Sequence, residues 1–186
     1  GNAETYYENG EYKRRTVNAL KVLAIPCDVS IIGYDNKVTN TLRLWTAEPA
    51  DEDIPQGESF TEYLNFVRNI THGLYPDDTT ENGKLLRLRQ QYFLVSAGLQ
   101  SALRAHYRKY KTYDNLPDHY VFQLNDTHPI MAIPELMRLL MDEHDYGWDK
   151  AYEIATKCFA FTNHTVMAEA LEKWPCHYIA NLCPRV

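Results

Sequence analysis

Two short apolar segments in the second half of the chain each run straight into a polar, histidine-bearing loop and then into a helix-forming stretch. This arrangement restricts the fold more than any other feature. Residues 121–124 (VFQL) lead into Asn125-Asp126-Thr127-His128-Pro129, and residues 158–162 (CFAFT) lead into Asn163-His164-Thr165. Short apolar runs bounded by turn formers are the pattern of buried strands. Between them, residues 133–143, with Pro134 in the first turn, and residues 148–157, with an acidic start, carry helical spacing. Residues 167–174 are expected to form a further short helix. Strand, helix, helix, strand, helix is the order of an α/β unit built on a parallel sheet.

The first half reads differently. Residues 1–19 are a polar lead-in without periodicity, in which Gly1-Asn2-Ala3 resembles a tag scar. Residues 20–26 (LKVLAIP) predict a strand that Ser30–Gly33 extends, and Tyr34-Asp35-Asn36-Lys37 predicts a turn. Residues 40–47 alternate, with Leu42 and Leu44 on one face and Arg43 and Trp45 on the other. An acidic loop over residues 50–57 precedes Ser59, a candidate cap. Phe60, Tyr63, Leu64, Val67, Ile70 and Leu74 then mark an amphipathic helix. A polar loop, residues 75–80, separates it from a long helix over residues 84–109. Residues 115–119 are expected to be a linker.

A net charge of -6 argues against a nucleic-acid or membrane-surface partner, which would want a basic patch, and the local run Lys13-Arg14-Arg15 is too short to outweigh that balance. No apolar run is long enough to span a bilayer, and no signal-peptide pattern opens the sequence, so a cytoplasmic location is expected. The four cysteines form no C-x-x-C pair and are expected to be reduced and structural.

In an open α/β sheet, ligands bind at the carboxyl ends of the strands, which is where Asp126, Thr127, His128, Asn163, His164 and Thr165 are expected. Asn, Asp and Thr at such junctions are also the commonest caps and turn formers, so both readings stand on spacing alone. A metal-dependent hydrolase would place Asp, His and Asn similarly, but the chain has no Gly-Asp-x-x-Asp stretch and no later paired histidines. Glu169 and Glu172, three apart, read by default as a solvated helix face.

The pieces QLNDTHP, AIPELMR, WDKAYEI, FTNHT and EALEKWP, preceded by VLAIPCD, GYDNKV, NTLRLW, LYPDD and GKLLRLRQQYF, occur in order over nearly all of residues 20–185. In order and spacing they resemble the glycogen/maltodextrin (α-glucan) phosphorylase family. The resemblance implies phosphorolysis of terminal α-1,4-glucosyl units to α-glucose 1-phosphate, with retention, by a homodimeric enzyme using lysine-bound pyridoxal phosphate. It implies an α/β fold, the chain being a partial Rossmann-like N-terminal domain of a two-domain (GT-B type) glycosyltransferase with long helices.

Residue by residue, His164 matches the family's histidine beside the glucose and is the expected catalytic residue, with Asn163 and Thr165 positioning its loop. Asp126 and His128 match cleft residues, and Glu169 the acceptor side. Tyr75 matches an aromatic that stacks on acceptor sugars, Asp78 a gate-loop carboxylate, and Arg87 a cleft arginine. Thr79 stands where an asparagine commonly touches glucose, Thr80 where animal enzymes carry an aromatic, and Ala168 where proline is common. No residue matches the cofactor lysine, which the family places beyond Val186. Residues 1–186 are therefore expected to be an N-terminal-domain fragment without the cofactor domain, inactive alone and prone to self-association. A non-catalytic carbohydrate-binding module and a metal-dependent hydrolase are the alternatives.

Overall fold

The polar start of the chain forms a hairpin. In the computed structural model, which describes residues 1–50 and 59–186, Asn2–Glu8 (β1) pairs antiparallel with Glu11–Val17 (β2). Asn9 and Gly10 both have positive φ, 52° and 90°, the backbone of a primed two-residue turn. Sequence reading identified no element in this polar lead-in, and the hairpin is one it missed. Almost every residue of the ribbon is at least partly exposed, so no apolar-polar contrast advertised the strands. Polar cross-links hold it instead. Arg15 Nε donates to Glu4 across the pair at 2.9 Å, and Lys13 Nζ reaches Asp145 at 2.6 Å.

The chain divides into two compact units, residues 20–90 and residues 1–19 with 91–186. In the first, Val22–Ile32 (β3) and Thr39–Pro49 (β4) form an antiparallel pair in the register Ile25↔Thr46, Cys27↔Leu44 and Val29↔Leu42. The turn begins as expected at Tyr34-Asp35, where Asn36 Oδ1 accepts from the Val38 amide. The alternation of β4 is real, but the buried face is the one carrying Trp45 and Ala47. Ala47 is fully buried, and its amide donates to Thr71 Oγ1 of the following helix, whereas Leu42 and Leu44 are exposed. That helix, Phe60–His72 (α1), opens with the capping box expected from Ser59: Ser59 Oγ accepts from the Glu62 amide and the Glu62 carboxylate accepts from the Ser59 amide. It buries Tyr63, Val67 and Ile70. The acidic loop expected over residues 50–57 lies, apart from Ala50, outside the described residues. Glu81–Tyr110 (α2) begins in this unit, where Gln90 Nε2 donates to the Gly73 carbonyl at 2.6 Å and ties α2 to the end of α1.

In the other unit the expected linker contains a 3-10 turn, Leu116–Asp118, whose Leu116 is fully buried. Phe122–Asn125 (β5) and Phe159–Thr162 (β6) pair in parallel, with Phe122↔Phe159 and Asn125↔Thr162. Between them run Ala132–Arg138 (α3), a π-helical turn at Leu139–Glu143, and Trp148–Cys158 (α4). This is the α/β crossover the sequence pattern implied. Two details differ. The strands are only partly buried, since β5 and β6 pair with each other alone among the described residues, and Phe161 stays exposed. The cap of α4 is the Gly147 backbone with no side-chain bond, and Asp149 lies in the first turn, where a negative charge suits the helix dipole.

Residues 167–174 do not form a helix. A 3-10 turn, Ala168–Ala170, is followed by irregular chain to Pro175 and then Cys176–Leu182 (α5). Trp174 precedes a proline, which disfavours helical backbone there and moves the helix past it.

The core of this unit gathers Leu99 and Leu103 of α2, Leu116, Leu124, Leu136, Leu140, Ile154 and Cys158. One carboxylate lies wholly within it. Glu135 accepts from Ser96 Oγ at 2.6 Å, Tyr92 Oη at 3.0 Å, and both Nε and Nη2 of Arg138 at 2.8 and 3.0 Å. Burial alone would favour a neutral Arg138, yet its bonds to Glu135 hold it above its ordinary value. Burial pushes the Cys158 thiol up to about 11 and the Cys183 thiol up to about 12, so neither forms thiolate near neutral pH. All four cysteines are free.

Candidate functional site

Because β5 and β6 are parallel and in register, their polar loops leave the same edge. A hydrogen bond joins them at once: the Asp126 amide donates to the Thr162 carbonyl at 2.8 Å. Asp126 then enters the left-handed region, φ 62°, a conformation that Asp and Asn tolerate better than most residues. In that conformation its Oδ1 accepts from the His164 amide at 2.8 Å. The carboxylate thus fixes the Asn163–His164 peptide, while the imidazole of His164 belongs to an exposed residue. The loop continues in two small side-chain turns. Asn163 Oδ1 accepts from the Thr165 amide at 3.3 Å, and Thr165 Oγ1 accepts from the Met167 amide at 3.4 Å.

Thr127 and His128 turn toward the segment after β6. Thr127 Oγ1 lies 3.2 Å from the Ala170 carbonyl and 3.1 Å from Glu172 Oε2, and His128 Nδ1 lies 3.1 Å from Glu172 Oε1. Gln91 Nε2, from α2, also donates to Glu172 Oε1, at 3.0 Å. The Glu172 side chain is 13% exposed, against 39% for His128. Burial on its own raises the Glu172 carboxyl, but the bonds from Gln91, His128 and Thr127 outweigh it and hold the group below the ordinary glutamate value. Reading Glu172 as one half of a solvated pair is therefore corrected. The expected helix would have left it on a surface, and the irregular chain that replaces it turns it inward. Glu169 lies in the 3-10 turn, and its side chain is outside the described residues.

Tyr75, Asp78, Thr79 and Arg87 belong to the other unit and form their own group. Arg87 Nη1 donates to Asp78 Oδ2 at 2.9 Å, and its guanidinium lies 5.9 Å from the Tyr75 ring centroid. Tyr75 has φ 56° and is 74% exposed, so an aromatic face is presented from a strained backbone. Thr79 is exposed but folds back on its own turn: its amide and hydroxyl both donate to Asp77 Oδ1, at 3.0 and 2.7 Å, and they hold the Asp77 carboxyl below its usual range. Thr80 Oγ1 accepts from the Gly83 amide at 3.1 Å and so caps α2. A Cβ at Gly83 would collide with the Asp77 carbonyl oxygen, so this glycine is demanded by a close approach.

Sequence reasoning missed Glu172, Gln91, Asp77 and Gly83. The signal for Glu172 was the Trp174-Pro175 pair, which disfavours helical backbone at position 174.

A family model described as carbohydrate phosphorylase matches residues 1–186. The chain belongs to the carbohydrate phosphorylase family. Among relatives, the glycogen phosphorylase of Bacillus subtilis (strain 168) is 42% identical over 179 residues, covering 96% of this chain and 22% of that protein. The glycogen phosphorylase of Haemophilus influenzae is 47% identical over 171 residues, covering 89% of this chain and 21% of that protein. The muscle form of glycogen phosphorylase from Ovis aries is 44% identical over 184 residues, 91% of this chain and 22% of that protein. This phosphorylase chain therefore spans about a fifth of the length of the curated relatives it matches. Among the described residues no three His, Cys, Asp or Glu converge to hold a metal ion, and no helix is long and apolar enough to cross a membrane.

Proposed function

We propose that this chain supplies glucan-binding and catalytic residues to an α-glucan phosphorylase, which transfers the terminal α-1,4-linked glucosyl unit of a glycogen-type chain to inorganic phosphate and releases α-glucose 1-phosphate. The observation that carries the reading is the bond from the His164 amide to Asp126. It locks the loop with the family's FTNHT motif against the loop with its QLNDTHP motif, at the strand ends where an α/β sheet binds ligands. The parent enzyme is a cytoplasmic homodimer, and the parallel pair with its crossover is part of a Rossmann-like domain of a GT-B type glycosyltransferase.

The chemistry assigned to these residues is positioning and charge stabilisation. As the glycosidic bond breaks, positive charge develops at the anomeric carbon. The His164 carbonyl, on a loop whose preceding peptide is held by Asp126, turns its negative end toward that charge, and its imidazole meets the sugar's 6-hydroxyl. Asn163 and Thr165 stiffen the loop through their own backbone bonds. Asp126 and His128 line the cleft, and Glu169 faces the acceptor. Tyr75 stacks on an acceptor sugar, while Arg87 holds Asp78 in place.

Pyridoxal phosphate supplies the acid/base phosphate of this reaction when bound. Its attachment needs a lysine enclosed in a pocket. Every lysine here is exposed except Lys13, which is paired with Asp145 and Glu8, so the lysines of this chain do not fit that role. The chain contributes to the sugar side of the reaction.

The test uses the full-length enzyme loaded with pyridoxal phosphate and supplied with maltoheptaose and phosphate. Glucose 1-phosphate is expected from the wild type, about 100-fold less from His164→Ala, and none from residues 1–186 alone. A loaded, folded enzyme that makes no glucose 1-phosphate from any α-glucan sinks the assignment.

A further inference from the structure

Glu172 is the acidic group that the reading above does not use. It sits where three parts of the chain meet: α2 through Gln91, the loop after β5 through Thr127 and His128, and its own segment after β6. Both carboxylate oxygens are engaged, and the Glu172 amide lies 3.5 Å from Thr127 Oγ1, so Thr127 and Glu172 meet through backbone as well as side chain. A half-buried carboxylate kept charged among donors is stiff, because letting any donor go leaves a desolvated charge short of a partner. Asp126 holds the His164 loop from one side. Glu172 is bonded to the two residues that follow Asp126. The His164 loop therefore rests on Asp126, and the segment that carries Asp126 rests on Glu172.

We propose that Glu172 is a positioning residue of the sugar site: it orients His128 and Thr127 and, through that segment, keeps Asp126 placed to hold the His164 loop. The proposal rests on the function assigned above only for its kinetic consequence; the mechanical claim stands on the geometry.

The experiment uses the full-length holoenzyme with Glu172→Ala, Glu172→Gln, His128→Ala and the Glu172→Ala/His128→Ala double variant. Hydrogen exchange read by mass spectrometry should show peptides covering residues 125–129 and 162–167 exchanging about tenfold faster in Glu172→Ala, with peptides of α4 unchanged. Glu172→Ala should lower kcat/KM about 100-fold, the loss that an ångström of misplacement brings. Glu172→Gln keeps one carbonyl acceptor and should fall between it and the wild type. The double variant should lose no more than Glu172→Ala alone, because His128 is already misplaced there.

Unchanged exchange in both loops overturns the proposal. So does a loss of protection spread evenly over the enzyme, and so do losses that multiply in the double variant. Should Glu172→Ala fail to fold, the same exchange comparison on Glu172→Gln decides. A wild type without phosphorolysis removes the assigned function, and the exchange data still decide the positioning claim.

Discussion

In the proposed site, Thr79 is the residue whose donors are already spent within its own turn. Its hydroxyl and amide are both committed to Asp77, so neither donor is offered to a sugar at the position where the family resemblance leads one to expect an asparagine. Thr79→Asn in the full-length enzyme should lower the KM for the glucan severalfold with little change in kcat, as steady-state phosphorolysis will show. Glu172 makes a second prediction at this scale, through pH. Its carboxyl is depressed in the folded chain, so its stabilising contribution is complete above the ordinary value of 4.5 and is lost as pH falls through the lower folded value. Urea midpoints followed from pH 6 to pH 3 should fall less steeply in Glu172→Gln than in the wild type. Glu135 differs from both because it is wholly enclosed. Glu135→Ala leaves a nearly buried Arg138 with Glu143 as its remaining acidic partner and takes the acceptor from Ser96 and Tyr92, and it should cost about 3 kcal/mol in denaturant unfolding.

Among elements, the legible ones were those whose period carried contrast. α1 was readable to its cap, because Ser59 and Glu62 stand at capping-box spacing before an apolar stripe. The β5 and β6 strands were readable from apolar runs ending in turn formers, and their parallel pairing from the two helices between them. The β1–β2 hairpin was not, since polar residues occupy both faces and only Asn9-Gly10 marked it. The site was legible in the same proportion. Asp126, His128 and His164 sit where strands end, which spacing foretells. The inward course of Glu172 depends on a helix that stops early, which spacing misjudges. The 75–83 turn offers a test at this scale. Gly83→Ala forces Asp77 away from α2 and should unfasten the Asp77–Thr79 turn, seen as faster exchange there and a lower melting temperature.

For the whole molecule, the exposed face of the β3–β4 pair has the largest consequence. Leu23, Ile25, Val29 and Ile31 lie in one row on β3 and Leu42 and Leu44 in the facing row of β4, all between 43% and 52% exposed. A continuous apolar surface on a two-stranded pair invites association. Residues 1–186 alone should elute above the monomer position at micromolar concentration, and Leu42→Lys with Leu44→Lys should return them to it. A monomeric wild-type chain at that concentration contradicts this reading of the face.

The pairing of β5 with β6 leaves a mark on how such a gene can change. The two loops that meet at Asp126 and His164 are far apart in sequence, and they are brought together by a register only a few residues long. Codons gained or lost in the exposed turn around Asp145, between the π-helical turn and α4, lengthen the crossover and leave that register alone. One codon gained or lost inside either strand turns its side chains to the opposite face and separates Asp126 from the His164 amide. Length variation in this lineage is therefore expected to collect in the crossover, while the two strands keep their size.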